Sequence, residues 1–126
     1  MKTNRYAWPA VAFAVGVVAI GISYWPIAYD DVELPSSVMG PGMFVVFLLA
    51  TALRGWANSA FWLSLVAAGS AVPAAVAIRV FVDVLSDPTS HNLWLFEVAI
   101  AMFVGGVVAL LGATAGELVH RARSTA

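Results

Sequence analysis

Arg79, Asp83 and Glu97 are the residues whose types and positions suit them to chemistry, because each falls inside or at the edge of a long apolar stretch rather than in a polar connection. A charged side chain at the centre of a bilayer costs about 2.5–3.5 kcal/mol on insertion scales, so such residues face protein or water by default and mark sites for ions, protons or polar solutes. Spacing gives their directions. Ala67, Ala71, Ala75, Arg79 and Asp83 recur every fourth residue, as do Glu97, Ala101, Gly105, Ala109 and Ala113. On a helix each set forms one stripe, and two small-residue stripes with a charge near the same end predict close packing of the two helices. Counted from the turn between the two stretches, Arg79 and Glu97 fall at similar depth and are expected to pair, with Asp83 in reach of Arg79 at the i,i+4 spacing. Such a pair can simply pin a helical hairpin. It can also act, the arginine receiving an anionic group or Glu97 exchanging a proton or cation.

Acidic residues surround that cluster in the chain: Asp30, Asp31 and Glu33 follow the first apolar stretch, and Asp87 and His91 lie in the turn between the third and fourth. Together they would form an acidic mouth that concentrates cations over about a Debye length, or they are plain solvated loop residues. Carboxylates and imidazole suit several divalent ions, but the spacing of Asp83, Asp87, His91 and Glu97 fits no standard ligand motif and Pro88 interrupts the helix, so no metal is expected. The stretch Pro35-Ser36-Ser37-Val38-Met39-Gly40-Pro41-Gly42 holds two prolines and two glycines where a membrane segment begins. It is a stiff loop and helix start, or a segment lining an outer vestibule, since irregular backbone at membrane depth is tolerated only against protein or water. The Met39-Gly40-Pro41-Gly42 string resembles the start of the second span in the small membrane subunits of tripartite tricarboxylate transporters. The likeness covers those few residues, has no counterpart in the second half of the chain and implies no membership.

The elements that must position these residues are four apolar stretches, about 6–29, 38–56, 60–85 and 93–119. At about 1.5 Å per helical residue the first, third and fourth can cross a hydrocarbon core of about 30 Å, whereas the second is short. The first is expected to be a retained helix, being too long for a signal sequence and lacking a small-residue cleavage pattern. Pro73 inside the third stretch should bend its helix and is a hinge or a static kink. Gly105 belongs to the fourth stripe, and Gly112 and Gly116 form a Gly-x-x-x-Gly step suited to close contact within the bundle or between protomers. Glu117 and Arg121 are spaced to pair. The fold expected is an all-α integral membrane protein, a single domain of four transmembrane helices in an up-and-down bundle.

Composition agrees: of 126 residues 62% are hydrophobic and 10% charged, well outside the range of an average soluble domain. Charges sort by sign. Lys2, Arg5, Arg54, Arg121 and Arg123 fall on one side of the expected bundle and the acidic residues on the other, so the positive-inside rule places both termini in the cytoplasm of a bacterial-type inner membrane. Aromatic residues follow suit, with Tyr6, Trp8, Trp56 and Trp62 near the inner interface and Tyr24, Trp25, Tyr29 and Trp94 near the outer one. A net charge of −1 and scattered basic residues argue against nucleic acid as a partner, and with no cysteine there is no disulfide, thiolate metal site or thiol chemistry. No nucleophile–base set, phosphate loop, HExxH or membrane-embedded histidine pair is present, so no enzymatic activity and no cofactor are expected. Two roles remain. One is handling of an ion or small solute at the Arg79/Asp83/Glu97 site by a homo-oligomer; the other is service as a non-catalytic subunit of a larger membrane complex.

Overall fold

A computed structural model of the chain describes residues 5–27, 40–87 and 94–125. Five helices follow in order: α1 (Ala7–Tyr24), α2 (Pro41–Gly55), α3 (Phe61–Gly69), α4 (Ala71–Ser86) and α5 (Trp94–Thr125). There is no strand among the described residues. Local sequence explains the limits. Pro26 has no N–H to continue the ladder, so α1 stops at Tyr24, earlier than the apolar run suggests, with the Trp25 amide still donating to Gly21 O at 2.8 Å. Proline is favoured at the first helical position because its missing donor would be unsatisfied there anyway, and Pro41 opens α2 after an extended Gly40. The rest of the Pro35–Gly42 passage lies outside the described residues.

The third apolar stretch is one rod in two pieces. The break between α3 and α4 falls at Ser70, and Pro73 lies one turn further on. A proline ring clashes with the carbonyl four residues back and cannot donate to it, so Gly69 O is released from the ladder at the point where the rod breaks. Hydrogen bonds resume on both sides: the Ser70 amide donates to Val66 O at 2.9 Å and the Ala74 amide to Ser70 O at 3.0 Å. Three rods are long and apolar enough to cross a membrane, Ala7–Tyr24, Phe61–Ser86 and Trp94–Thr125. With 15 residues, α2 is about 22 Å long and falls short of a full hydrocarbon core.

Successive rods run antiparallel. Ala12 packs with Leu53 and Ala67 at one end, while Gly42 abuts Ala19 and Ile20 toward the other. The α2 helix and the α3–α4 rod touch one another and both touch α1 and α5, which lie on opposite sides of that central pair. The core between them holds Ile20, Tyr24, Val46, Ala68, Val72 and Val76.

Glycine sets the distances. A Cβ placed on Gly42 would lie 2.7 Å from Ala19 O, on Gly105 2.6 Å from Gly69 O, on Gly112 2.5 Å from Phe47 O, and on Gly116 2.6 Å from Thr51 O. Backbone therefore meets backbone at each crossing, in the geometry that permits weak Cα–H···O contacts. The Gly112/Gly116 step is thus used inside the bundle, against α2, and the Thr51 hydroxyl reinforces it by donating to Gly112 O at 3.0 Å while lying 2.9 Å from Phe47 O.

The expected packing of the two small-residue stripes against each other is corrected. Ala71 sits against Gly16 of α1, and Ala67 packs with Ala12 and Leu53, so the stripe that continues to Arg79 faces α1 and α2. What meets the Gly105 stripe of α5 is the next face round, Gly69 and Val72, together with Phe47 and Ala50 of α2. The physical reason lies in shape. The freed Gly69 carbonyl and the side chain of Val72 fit the notch left by Gly105, whereas the Ala71 methyl of the alanine stripe fits the notch left by Gly16 of α1.

Large apolar side chains cover the outside, Phe103 at 73% exposure and Leu85 at 71% among them, as expected of surfaces whose solvent is lipid. Substitution at the crossings should be costly and position-specific. Gly112→Val is expected to lose about 1–3 kcal/mol by overpacking against the α2 backbone, while Gly106→Ala, where an added Cβ meets nothing within 4 Å, should be neutral; equilibrium unfolding in mixed micelles measures both.

Candidate functional site

Charges gather at the two ends of the bundle. At one end Arg79 is buried, with 7% of its surface exposed, although it carries a full charge. Its Nη1 donates to Tyr24 O at 2.9 Å, its Nε to Asp83 Oδ2 at 3.3 Å, and its guanidinium lies 5.2 Å from the centroid of the Tyr24 ring. Tyr24 is the last residue of α1, whose final carbonyls have no helical donor. Arg79 therefore caps α1 from the side, a cation placed at the negative end of that helix. Trp25 makes the reciprocal link, its indole Nε1 donating to Ala75 O at 3.0 Å. Two hydrogen bonds in opposite senses tie the end of α1 to α4.

Tyr24 is the residue at this end whose burial the sequence reading did not anticipate. It was expected in the outer aromatic belt, but it is wholly buried, and its hydroxyl meets no hydrogen-bond partner among the described residues. Arg79, Glu97 and Asp83 all bear on that hydroxyl electrostatically. The fitting signal was helical phase: Tyr24 continues the buried positions Ala12, Gly16 and Ile20 on one face of α1. Trp8, Trp56, Trp62 and Trp94 are about half exposed or more at the rims of the bundle. Tyr29 lies outside the described residues.

The i,i+4 contact of Arg79 with Asp83 is present, whereas no salt bridge joins Arg79 to Glu97 among the described residues. The rotation of α4 accounts for this, since Arg79 is directed at α1. Glu97, in the first turn of α5, is half-buried and engaged. Asp87 follows α4 and is exposed, its amide donating to Asp83 O at 2.8 Å. Asp30, Asp31, Glu33 and His91 lie outside the described residues, and among the described residues no three His, Asp or Glu side chains converge as a metal site would require.

At the opposite end a second cluster joins α2 to α5. Arg54 Nε pairs with Glu117 Oε2, and Arg121 Nε lies 3.1 Å from Glu117 Oε1. Arg54 Nη1 also donates to Ser59 O at 3.1 Å, and Arg123 Nη1 donates to Gly55 O at 2.6 Å. The Glu117–Arg121 spacing forms its pair as read from the sequence; the partnership with Arg54, more than sixty residues away, had no local signal. Its part is to close the turn between α2 and α3, where Asn58 takes a positive φ of 56° that asparagine tolerates better than most residues.

No known protein family, curated protein or solved structure matches the chain. What fold and site define is an all-helical chain with three membrane-length apolar helices and a buried arginine–tyrosine cluster at one end. Arg79→Leu should cost about 1.5–3 kcal/mol by removing charge-assisted hydrogen bonds, whereas Tyr24→Phe should leave stability unchanged or slightly higher. Unfolding in micelles distinguishes the two, and equal losses would mean that the Tyr24 hydroxyl has a partner.

Proposed function

We propose that this chain is a four-span inner-membrane protein with both termini in the cytoplasm, and that it handles a small cation or proton at the Arg79 end as a homo-oligomer. The observation that carries this reading is the Tyr24 hydroxyl, buried and unpartnered among the described residues, within the electrostatic reach of Asp83, Glu97 and Arg79. A buried polar group without a partner costs about 1–3 kcal/mol, and phenylalanine would fill the same space without that cost. Among the described residues two carboxylates stand against one guanidinium here, a balance that favours a cation over an anion. Because α2 is short of a full span, it must tilt little, draw on residues before Gly40 or thin the bilayer locally. Four rods offer little space for a pathway of their own, so copies must assemble around one. The orientation follows from the arginines at the Arg54 end.

One observation favours the other role, a non-catalytic subunit of a larger membrane complex. Gly106 opens on the outer face of α5 onto an apolar groove of about 370 Å³, bordered by Val66, Ser70, Pro73 and Met102. A small residue beside a groove suits a docked helix.

Flux of monovalent cations and protons into proteoliposomes tests the first role. Tyr24→Phe and Glu97→Gln should each lower flux at least tenfold while leaving the helical content unchanged. Wild-type rates in both variants would overturn it. Native mass spectrometry of the particle from native membranes should give a homo-oligomer, and reproducible foreign subunits would transfer the reading to the second role.

A further inference from the structure

We propose that the Arg54 end of the bundle carries a binding site for one anionic phospholipid, its headgroup at Arg5 and an acyl chain lying between α1 and α2. Two adjoining grooves share Trp8 and Ala57 as a common wall. One is a trough of about 430 Å³ running between α1 and α2, floored by Ala12, Leu49 and Leu53, with Val11 at its exposed side and Trp8 and Trp56 flanking it. It is apolar along its length and opens sideways, where lipid tails would lie. The other, of about 360 Å³, has a polar mouth formed by Arg5, Asn58 and Ser59, with Trp62 at its edge. A polar head space continuous with an apolar trough fits an amphiphile and neither a free ion nor a purely apolar ligand.

Charge selects the sign of the head. Arg5 lies over the Tyr6 ring, 4.7 Å from its centroid, and donates to the Tyr6 hydroxyl, and no carboxylate pairs with it among the described residues. Among the described residues this end of the bundle also holds Arg54, Arg121 and Arg123 against the one carboxylate of Glu117, an excess of positive charge. The first turn of α3 reaches the same mouth at Trp62 and Leu63, and its Ala60 cap supplies no side-chain acceptor. Its amides therefore add to the attraction for an acidic group without by themselves defining the site. Trp8, Trp56 and Trp62 are each more than half exposed around the two grooves, at the level where amphipathic rings meet lipid headgroups. An arginine can hold a phosphate by two parallel hydrogen bonds while the adjacent trough takes the chain.

The inference rests on the membrane reading but not on the Arg79 site at the far end, and Glu97→Gln serves as the control that separates them. Native mass spectrometry of the full chain in mild detergent, titrated with phosphatidylglycerol and phosphatidylcholine in equal amounts, reads the occupancy directly. One phosphatidylglycerol should be retained with at least fivefold preference, unchanged in Glu97→Gln. Arg5→Gln, at an exposed position, should bring that preference to near unity, and Val11→Trp, which fills the trough from its exposed side, should lower retention of both lipids at least fivefold. Equal retention of the two lipids by the unaltered chain would overturn the proposal, as would a preference that survives Arg5→Gln or retention that survives Val11→Trp. Displacement of the bound lipid by inorganic phosphate alone would assign the mouth to a free anion and would equally overturn it.

Discussion

The close approach of backbone to backbone at the glycine crossings is the constraint on which everything else in this bundle depends. In a lipid environment one helix gains little by hiding apolar side chains from its surroundings, so association relies on contact area and on polar links that reach across the interface. At Gly42, Gly105, Gly112 and Gly116 the facing atom is a carbonyl oxygen, and there is no volume for even a methyl group. Those distances place α5 near enough to α2 for the Thr51 hydroxyl to reach Gly112 O, while between α1 and α4 the close contact is Gly16 against the Ala71 side chain, and there Trp25 and Arg79 reach the opposite backbone. Larger residues at the crossings would hold the rods apart and break each of these bonds.

The two ends solve different problems with the same side chain. At one end Arg54 and Glu117 join α2 to α5 where both are partly open to water, and a pair of that exposure contributes little stability by itself but fixes which turn of α2 faces which turn of α5. At the other end Arg79 is buried, and its charge is met by a helix-terminal carbonyl, a carboxylate and the face of an aromatic ring. That combination satisfies a desolvated guanidinium without a second buried carboxylate directly upon it.

Much of the architecture was legible because it follows from periodicity and from proline. Of the six buried positions of α5, Ala101, Gly105, Ala109 and Ala113 are on its small-residue stripe, and Gly112 and Gly116 are its Gly-x-x-x-Gly step. Two helix limits departed from the apolar runs: Pro26 cuts α1 short at Tyr24, and α5 continues past the expected end near 119 to Thr125 through the polar segment 120–125, which apolar length alone does not read. Rotation was not legible. Four-residue spacing says that Ala67, Ala71, Ala75 and Arg79 share a face, but not which neighbour that face meets. For the same reason the Arg79–Glu97 pair was expected, while the bond from Arg79 to the end of α1 could not be read from the sequence. Arg54 with Glu117 shows the general limit, since a contact between distant parts of a chain leaves no local pattern.

Tyr24 gathers these strands. Sequence position alone puts a tyrosine near the end of an apolar stretch in the interfacial belt, where its hydroxyl would be wet. Helical phase puts it on the buried face of α1, and the bond from Arg79 to its carbonyl holds it there. A side chain so placed keeps a polar atom in the core with no described partner, beside one positive and two negative groups. Packing does not require that atom, because the ring fills the space and supplies the face that meets the guanidinium. The hydroxyl is therefore the feature of the Arg79 end that packing among the described residues leaves unexplained, and the proposed cation site is the reading that would give it a part.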